Sequence, residues 1–332
     1  MPRIRGWSQL ILVVAVLIGV PMFINSAYHL HVLIMIGIYA ILAAGLNLIV
    51  GYAGQLSIAH AAFFGVGAYT AAVLVMKVGI SFWLALPLAG IMAGVLAYLI
   101  GLPAFRTSGI FLSLVTMGFG GLAQFVFHNA RPLTGGPDGI TGIPFPSAIS
   151  IGSINIQFGM KQVYFVLVWA VLFFLYYFVR NLAHSRIGEA FVAVREDEDL
   201  ARALGINVMG NKLLALVLSA IFGGVAGGLY AHYMTYVSSE IFTIDKAIQL
   251  LAMVIVGGAG TVWGPLVGAA LLTLLPEVMR FSEDISMIVY GLVVVMVVIF
   301  MPNGITGLYE QIRSRIVHRP PVQSGMTVER DG

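Results

Sequence analysis

The chain has 332 residues, of which 60% are hydrophobic and only 9% are charged, and it contains 39 glycines and no cysteine. Because soluble domains carry about 25% charged residues on a water-facing surface, this composition indicates a membrane protein. The lack of cysteine excludes disulfides, thiolate catalysis and cysteine-ligated metal centres. A net charge of +3 is too small for the dense basic surface that nucleic acid requires, so no nucleic-acid partner is expected.

Long stretches without Asp, Glu, Lys or Arg predict the membrane spans. A bilayer core of about 30 Å needs about 20 helical residues, and the unbroken apolar runs argue against the alternating strands of a barrel. In chain order the predicted spans are 8–25, 31–50, 61–76, 82–101, 109–127, 162–179, 212–236, 246–257, 263–279 and 285–301. The segments 61–76 and 246–257 are short for a full crossing. We therefore expect an all-α, polytopic transmembrane helical bundle of eight to ten spans with broken or half-helices.

The positions of the basic residues predict the orientation. Five of the 17 Lys and Arg residues fall outside, at Lys77, Arg131, Lys161, Lys246 and Arg280, and the other 12 fall in cytoplasmic segments when the N-terminus is inside. This asymmetry follows the positive-inside rule and places both termini in the cytoplasm. The basic N-terminus before an apolar run is also compatible with a signal peptide, but an uncleaved first helix suits a chain that spans the membrane repeatedly.

The chain divides into a transmembrane domain, residues 1–304, and a polar cytoplasmic tail, residues 305–332. Two loops of the domain stand out. An outer loop, residues 128–161, is rich in Gly and Pro, which is typical of a lid or a docking surface. A charged loop, residues 180–212, carries a dense group of ionised residues on the predicted cytoplasmic side.

A glycine-rich pattern, V-G-x-A-G followed by a polar residue, occurs at 50–55 and again at 256–261; we call these the first and second glycine breaks. Glycines in membrane helices serve either close packing or a helix interruption whose carbonyls line a water-filled path. Helical spacing favours packing for Gly65, Gly67, Gly223, Gly224, Gly227 and Gly228. Polar neighbours favour a translocation path at the breaks, with the candidate residues Asn47, Gly51, Gly54, Gln55, Ser57, His60, Gly257, Gly258 and Gly260. No second ligand stands at helical spacing from His60, so no metal site is expected.

The charged loop has the features of a short helix. Acidic residues at 196–199 suit a helix N-terminus, Arg202 lies in the last turn, and Gly205 can end the helix in a left-handed conformation. Leu200, Ala201 and Leu204 are predicted to share one face. Because so short a helix is marginal alone in water, it must pack either on its own protein or on a partner.

Residues 188–208, with the pattern G-x-x-x-A-V-R-E-D-E-x-x-A-x-A-L-G-I-N-V, resemble the cytoplasmic coupling loop of the permease subunits of branched-chain amino acid ABC transporters. Glu189, Ala190 and Gly205 are similar in position to a loop motif of many ABC importer permeases. Three further stretches, 45–70, 133–144 and 257–269, look like the same family, in its longer permease type. One departure weakens any inference about substrate preference: Gly121 and Gln124 stand where members often carry an acidic and then a basic residue.

The resemblance implies a division of labour. Two ABC ATPase subunits would bind ATP and Mg²⁺, a second related permease would form a heterodimer with this chain, and a periplasmic solute-binding protein would deliver branched-chain or similar amino acids across the bacterial inner membrane. Coupling to the ATPases would fall on Glu189, Arg195, Glu196, Asp197, Glu198, Asp199, Leu200, Arg202, Leu204 and Gly205. The sequence contains no G-x-x-x-x-G-K-[ST], the loop that cradles nucleotide phosphates, so no cofactor is expected in this chain.

A secondary transporter or channel for a small neutral solute, such as urea or an amide, is the alternative. Proton coupling generally needs a titratable group within the bilayer, and every Asp and Glu falls in a predicted loop or near a span end. His60 and sodium coupling keep this alternative open. An enzyme is not expected, since the spans offer no paired base and nucleophile and therefore no catalytic residues.

Overall fold

The computed structural model describes residues 19, 21, 24, 26–106, 110–151, 154–278, 283–301 and 304–307. Most of the predicted span 8–25 and of the tail 305–332 therefore lies outside the described residues. The helices are α1 Ala27–Asn47, α2 His60–Met76, α3 Phe82–Ala104, α4 Ile110–Asn129, α5 Arg131–Thr134, α6 Lys161–Ala183, α7 Arg186–Glu196, α8 Glu198–Ala203, α9 Val208–Met234, α10 Ile244–Gly257, α11 Gly264–Val278 and α12 Glu283–Phe300. The all-α class is confirmed, and the predicted spans from 31 onwards match helices to within a few residues.

Within the described residues, four helical segments are long and apolar enough to cross a membrane: Ala27–Tyr52, Phe82–Ala104, Lys161–Ala183 and Val208–Met234. Two shorter apolar helices, α2 and α11, join them. The four long segments have mean hydropathies of 2.0 to 2.4, so their surfaces are stable only in lipid or against each other. The chain is a multi-pass membrane protein.

Helix α9 lies at the centre of the bundle and packs on α1, α2 and α3. Glycines allow the close approach: a Cβ atom added to Gly67 would lie 2.1 Å from the Gly224 carbonyl oxygen, and one added to Gly227 would lie 2.1 Å from that of Phe64. Without side chains at these positions the helix backbones come into van der Waals contact. The packing role predicted for the glycines of α2 and α9 is confirmed.

The outer loop is tied to the end of α9. Thr235 ends that helix in the left-handed region, with φ 57°, and the chain then forms strand β4, Tyr236–Val237, which pairs with β1, Ile140–Thr141. Strands β2, Ile149–Ile151, and β3, Ile154–Ile156, form a separate antiparallel hairpin. The His232 ring, through Nδ1, also meets the Pro144 carbonyl oxygen at 2.6 Å. The described part of the loop therefore caps one end of the bundle.

Helix α10 begins beside the middle of α1, as the half-helix alternative predicts. Its third residue, Lys246, contacts Tyr39, while the segment that follows its C-terminus contacts Asn47 at the end of α1. With 14 residues, at about 1.5 Å each, the helix is about 21 Å long, less than a bilayer core of about 30 Å. It is therefore too short to cross the core by itself.

Candidate functional site

The two glycine breaks lie against each other, although about 200 residues separate them. Asn47, 1% exposed, joins them: its Oδ1 accepts a hydrogen bond from the Gly260 amide at 2.8 Å, and its Nδ2 donates to the Thr261 carbonyl at 2.9 Å. A Cβ atom on Gly51 would lie 2.3 Å from the Gly260 nitrogen, so only glycine fits there. The repeated pattern seen in the sequence is one structural unit.

Each break interrupts a helix. Helix α1 widens into a π-helical turn, Leu48–Tyr52, and the chain then stays irregular until His60, with Gly54 at φ 68°. The second break follows α10, with Gly258 at φ 119° and Gly260 at φ 77°, conformations that residues with a Cβ atom rarely adopt.

Threonine side chains satisfy carbonyl groups freed at the second break. Thr306 Oγ1 donates to the Gly257 oxygen at 2.7 Å, and Thr261 Oγ1 donates to the Gly258 oxygen at 2.8 Å. These two carbonyls are held by the protein itself, so they do not need water from a path. Sequence reasoning noted Thr261 only as the polar residue that ends the repeated pattern, and it missed Thr306, because a hydroxyl beside glycine carries no distinctive signal.

Arg195, at the end of α7, reaches from the charged loop onto the first break. Its Nη1 donates to the Gly51 carbonyl at 2.9 Å, and its Nη2 pairs with Glu196 at 2.6 Å. The stem of Arg195 covers Gly54, where a Cβ atom would lie 2.5 Å from the arginine Cγ. One guanidinium group thus holds the carbonyl that the interrupted helix leaves free.

A second polar contact links the loop to the same break. Glu198 Oε1 accepts a hydrogen bond from Gln55 Nε2 at 3.3 Å and forms an ion pair with Lys212 at 2.5 Å. The Lys212 side chain is 8% exposed, so removal of Glu198 would leave a buried ammonium without its counter-charge. In the sequence, Lys212 was used only as a positive charge on the cytoplasmic side. Its pairing with Glu198 was not predicted, because the two residues are 14 positions apart and no local pattern links them.

The predicted helix of the charged loop is present, but it starts later than expected. Helix α7 ends at Glu196, and Asp197 caps α8 by accepting hydrogen bonds from the amides of Asp199 and Leu200 at 2.9 and 3.0 Å. Arg202 pairs with Asp199 at 2.7 Å, and Gly205 is left-handed at φ 82°. The predicted place of Arg202 in the last turn and the left-handed Gly205 at the helix end are confirmed, and the helix itself begins at Glu198.

The predicted apolar face of α8 also needs correction. Ala201 is 1% exposed and packs with Val194 and Val208, whereas Leu200 and Leu204 are 59% and 71% exposed. Ala201 therefore anchors the helix on its own protein, and the two leucines point outward. The helix thus packs on its own protein through Ala201, and packing of its exposed leucines on a partner stays a prediction. Glu189 lies in the first turn of α7, exposed to solvent.

His60 and Ser57 are buried. His60, 1% exposed, has a partner for each ring nitrogen: Nε2 meets the Leu42 carbonyl at 2.8 Å, and Nδ1 meets Ser219 Oγ at 3.2 Å. The ring thereby joins α1, α2 and α9. Its hydrogen bonds account for a polar side chain at this depth without any solute.

A cavity of about 230 Å³ lies at the other end of the bundle, where α1, α6 and α9 meet the outer loop. His31 Nδ1 and the Tyr233 hydroxyl, 2.7 Å apart, form part of its wall. The full lining consists of His31, Phe145, Gly159, Lys161, Tyr164, Tyr233 and Met234. The site residues proposed from sequence are all remote from it.

Comparison with known proteins identifies the family. Residues 28–298 match the family model described as "Branched-chain amino acid transport system / permease component". The chain is 36% identical over 286 residues to the high-affinity branched-chain amino acid transport system permease protein LivM of Escherichia coli (strain K12), which covers 81% of this chain and 67% of the relative.

Two other relatives extend the comparison. LivM of Salmonella typhimurium is 35% identical over 301 residues, which cover 85% of this chain and 71% of the relative. The permease protein LivH of Escherichia coli is 23% identical over 290 residues, which cover 81% of this chain and 91% of the relative. No solved structure gives a significant match. The resemblance found in the sequence is confirmed, and the chain belongs to the permease component family of branched-chain amino acid transport systems.

Proposed function

We propose that this chain is the permease subunit of an ABC importer, in which it forms, with a second related permease subunit, the path for branched-chain or similar amino acids. The family match supports the transport role, and the higher identity to LivM than to LivH supports the longer of two paired types. In this proposal the protein lies in the bacterial inner membrane, and two ATPase subunits and a periplasmic binding protein complete the transporter.

The geometry of the charged loop is the observation that carries the proposal. Helix α8 presents two exposed leucines outward, while Arg195 and Glu198 hold the loop onto the first glycine break. Apolar side chains on a charged, water-facing loop are typical of a protein interface. We infer that an ATPase subunit binds this face.

The same contacts suggest how movement reaches the membrane. A displacement of α7 and α8 pulls on the Gly51 carbonyl through Arg195 and on Gln55 through Glu198. Because Asn47 ties the two breaks together, both interrupted helices move as a unit. We infer that ATP binding and hydrolysis in the partner subunits switch the path between outward and inward access by this route.

Reconstitution tests the proposal. The chain, expressed with the subunits that co-purify with it, is placed in proteoliposomes, and uptake of radiolabelled leucine is measured with the binding protein outside and ATP inside. We expect uptake that requires both. Uptake by the chain alone, driven by an ion gradient and indifferent to ATP, would instead support a secondary transporter.

A further inference from the structure

Lys246 contacts Tyr39, a residue of the apolar segment Ala27–Tyr52. Its Nζ donates to the Tyr39 hydroxyl at 3.2 Å and to Gln249 Oε1 at 3.0 Å, and it stands 4.8 Å from the centre of the Tyr39 ring. Tyr39 is twelve residues from the start and thirteen from the end of the apolar segment Ala27–Tyr52, so Lys246 contacts the middle of that segment. The outer side assigned to Lys246 from the sequence stays a prediction.

No acidic side chain of the described residues neutralises Lys246. The ion pairs found there involve Arg195, Arg202 and Lys212, and none involves Lys246. Asp245 precedes it directly, but neighbouring residues diverge by about 100° around a helix, and Asp245 is exposed. Lys212, the more deeply buried lysine, has Glu198 as its counter-ion. Within the described residues, the Lys246 side chain therefore has hydrogen-bond partners but no counter-ion.

The polar groups of Lys246, Tyr39 and Gln249 that remain free to form hydrogen bonds are mainly donors. Lys246 uses the Tyr39 oxygen and Gln249 Oε1 as acceptors, which leaves a third ammonium N–H, the Tyr39 O–H and the Gln249 amide N–H groups. A carboxylate, which carries a negative charge and only accepts hydrogen bonds, is complementary to such a cluster.

Part of the cluster is exposed. Lys246, Tyr39 and Gln249 are each only partly buried in this chain. A charged group facing lipid is strongly disfavoured, so intramembrane lysines face the bundle interior, a water-filled cavity or another chain. We therefore infer that the exposed part of the cluster faces the path or another subunit.

We propose that Lys246, Tyr39 and Gln249 bind the carboxylate of the amino acid as it passes through the membrane. The inference rests on the proposed function and adds a solute site to it. The cluster holds the carboxylate, while the aliphatic part of the solute needs only the apolar surface that surrounds it. An ion pair with an acidic residue of the second permease subunit is the competing outcome.

The absence of cysteine from the chain makes a direct test available. K246C is introduced into the complete transporter, and ATP-driven leucine uptake is measured before and after three methanethiosulfonates: the cationic aminoethyl, the neutral methyl and the anionic sulfonatoethyl reagent. We expect K246C to lower uptake by about 10-fold or more, as for a lost charged hydrogen bond. Only the aminoethyl reagent, which restores an ammonium of similar reach, should recover uptake. Leucine should slow the reaction of this reagent with the cysteine.

Matched controls isolate the effect. K77C, on the exposed turn after α2, should keep uptake within about 2-fold of the unmodified transporter with all three reagents. The unmodified transporter is treated with the same reagents, and any change in its uptake measures the effect of cysteines in the other subunits.

The outcomes separate the hypotheses. Uptake by K246C within about 2-fold of the unmodified transporter overturns the carboxylate site, as does recovery with the neutral or anionic reagent. Loss of the second permease from purified K246C and K246Q complexes also overturns it, in favour of a subunit ion pair. Failure of the unmodified transporter to take up leucine with ATP is a different result, which contradicts the proposed function itself.

Discussion

Arg195 joins the charged loop to the glycine breaks with one side chain. Its Nη1 donates to the Gly51 carbonyl, and the same nitrogen lies so near Gly260 that a Cβ atom there would be 2.9 Å from it. A planar guanidinium can hold a carbonyl and pair with Glu196 at the same time, which a lysine ammonium does with less defined geometry. The residue is therefore suited to transmit movement rather than only to stabilise the fold.

Replacing Arg195 with Ala should uncouple the transporter. We expect leucine uptake to fall by about 10-fold or more, because a charged hydrogen bond to the break is lost, while ATP hydrolysis by the assembled complex persists. Arg195→Lys should recover part of the uptake. Uptake and ATPase rates are measured on the same proteoliposomes.

Arg186→Ala is the matched control, since Arg186 is an exposed arginine at the start of the same helix, α7. It should leave the ratio of uptake to ATP hydrolysis unchanged. If Arg195→Ala reduces both rates equally, or neither, Arg195 does not transmit movement.

His60 shows what residue type alone can and cannot predict. A polar ring near the first break suggested a path residue, yet in the structure both its nitrogens have protein partners, on α1 and α9. Those partners are 18 and 159 residues away, beyond the reach of any local pattern. Its role in the path stays a prediction, with a structural explanation beside it.

At the scale of elements, α8 has one side buried against its own protein and one side exposed. Ala201 fixes it to the protein, and Leu200 and Leu204 leave an apolar surface open. The helical spacing indicated that the three residues share a face, but the register in which α8 packs on Val194 and Val208 decided which of them is buried.

Replacing Leu200 and Leu204 together with Asp should prevent binding of the ATPase subunits. Each buried leucine contributes about 1.5–3 kcal/mol to an apolar contact, so the double change should weaken association by about 100-fold or more. Membrane insertion should be unaffected, because both side chains are exposed in the chain itself.

Co-purification of the ATPase subunits measures the effect. Leu200→Met with Leu204→Met keeps an apolar surface and should retain them. ATPase subunits recovered in normal amounts with the Asp variant would contradict the docking assignment.

The crossing of α2 and α9 depends on residues without side chains. Gly67→Ala places a Cβ atom 2.1 Å from the Gly224 carbonyl oxygen, so the helices must move apart. We expect a loss of about 1–3 kcal/mol in stability, typical of overpacking. Thermal unfolding of the purified protein in detergent, followed by tryptophan fluorescence, tests this as a lowered Tm.

Gly118→Ala is the control for that change. Gly118 is also helical, in α4, but a Cβ atom there meets nothing within 4 Å. Alanine should be neutral or should stabilise the helix by about 0.5–1 kcal/mol. An equal loss of stability in both variants would show that the α2–α9 contact is not the cause.

At the scale of the whole molecule, the charged loop and the outer loop lie at opposite ends of the bundle. The distribution of Lys and Arg predicts that the charged loop is cytoplasmic. Two single-cysteine variants test this orientation: Ala203→Cys in α8 and Ala148→Cys in the outer loop. Both positions are exposed, and the chain has no other cysteine.

In intact cells a membrane-impermeant maleimide should label Ala148→Cys but not Ala203→Cys. Permeabilised cells should show labelling of both, because each position is exposed to water on its own side. The reverse pattern in intact cells would contradict the predicted orientation, and with it the binding of ATPases at α8.

The sequence by itself determined the class of the protein, the positions of the spans from 31 onwards, the half-helix near 246 and the cap at Gly205. These follow from hydropathy, charge and backbone preference, which act over a few neighbouring residues. Only the tertiary structure decided the contacts Asn47–Gly260, Arg195–Gly51 and Lys246–Tyr39, between residues 213, 144 and 207 positions apart. Such contacts depend on how helices cross and at what depth, because a local pattern records which face of a helix is apolar but not which distant helix covers it.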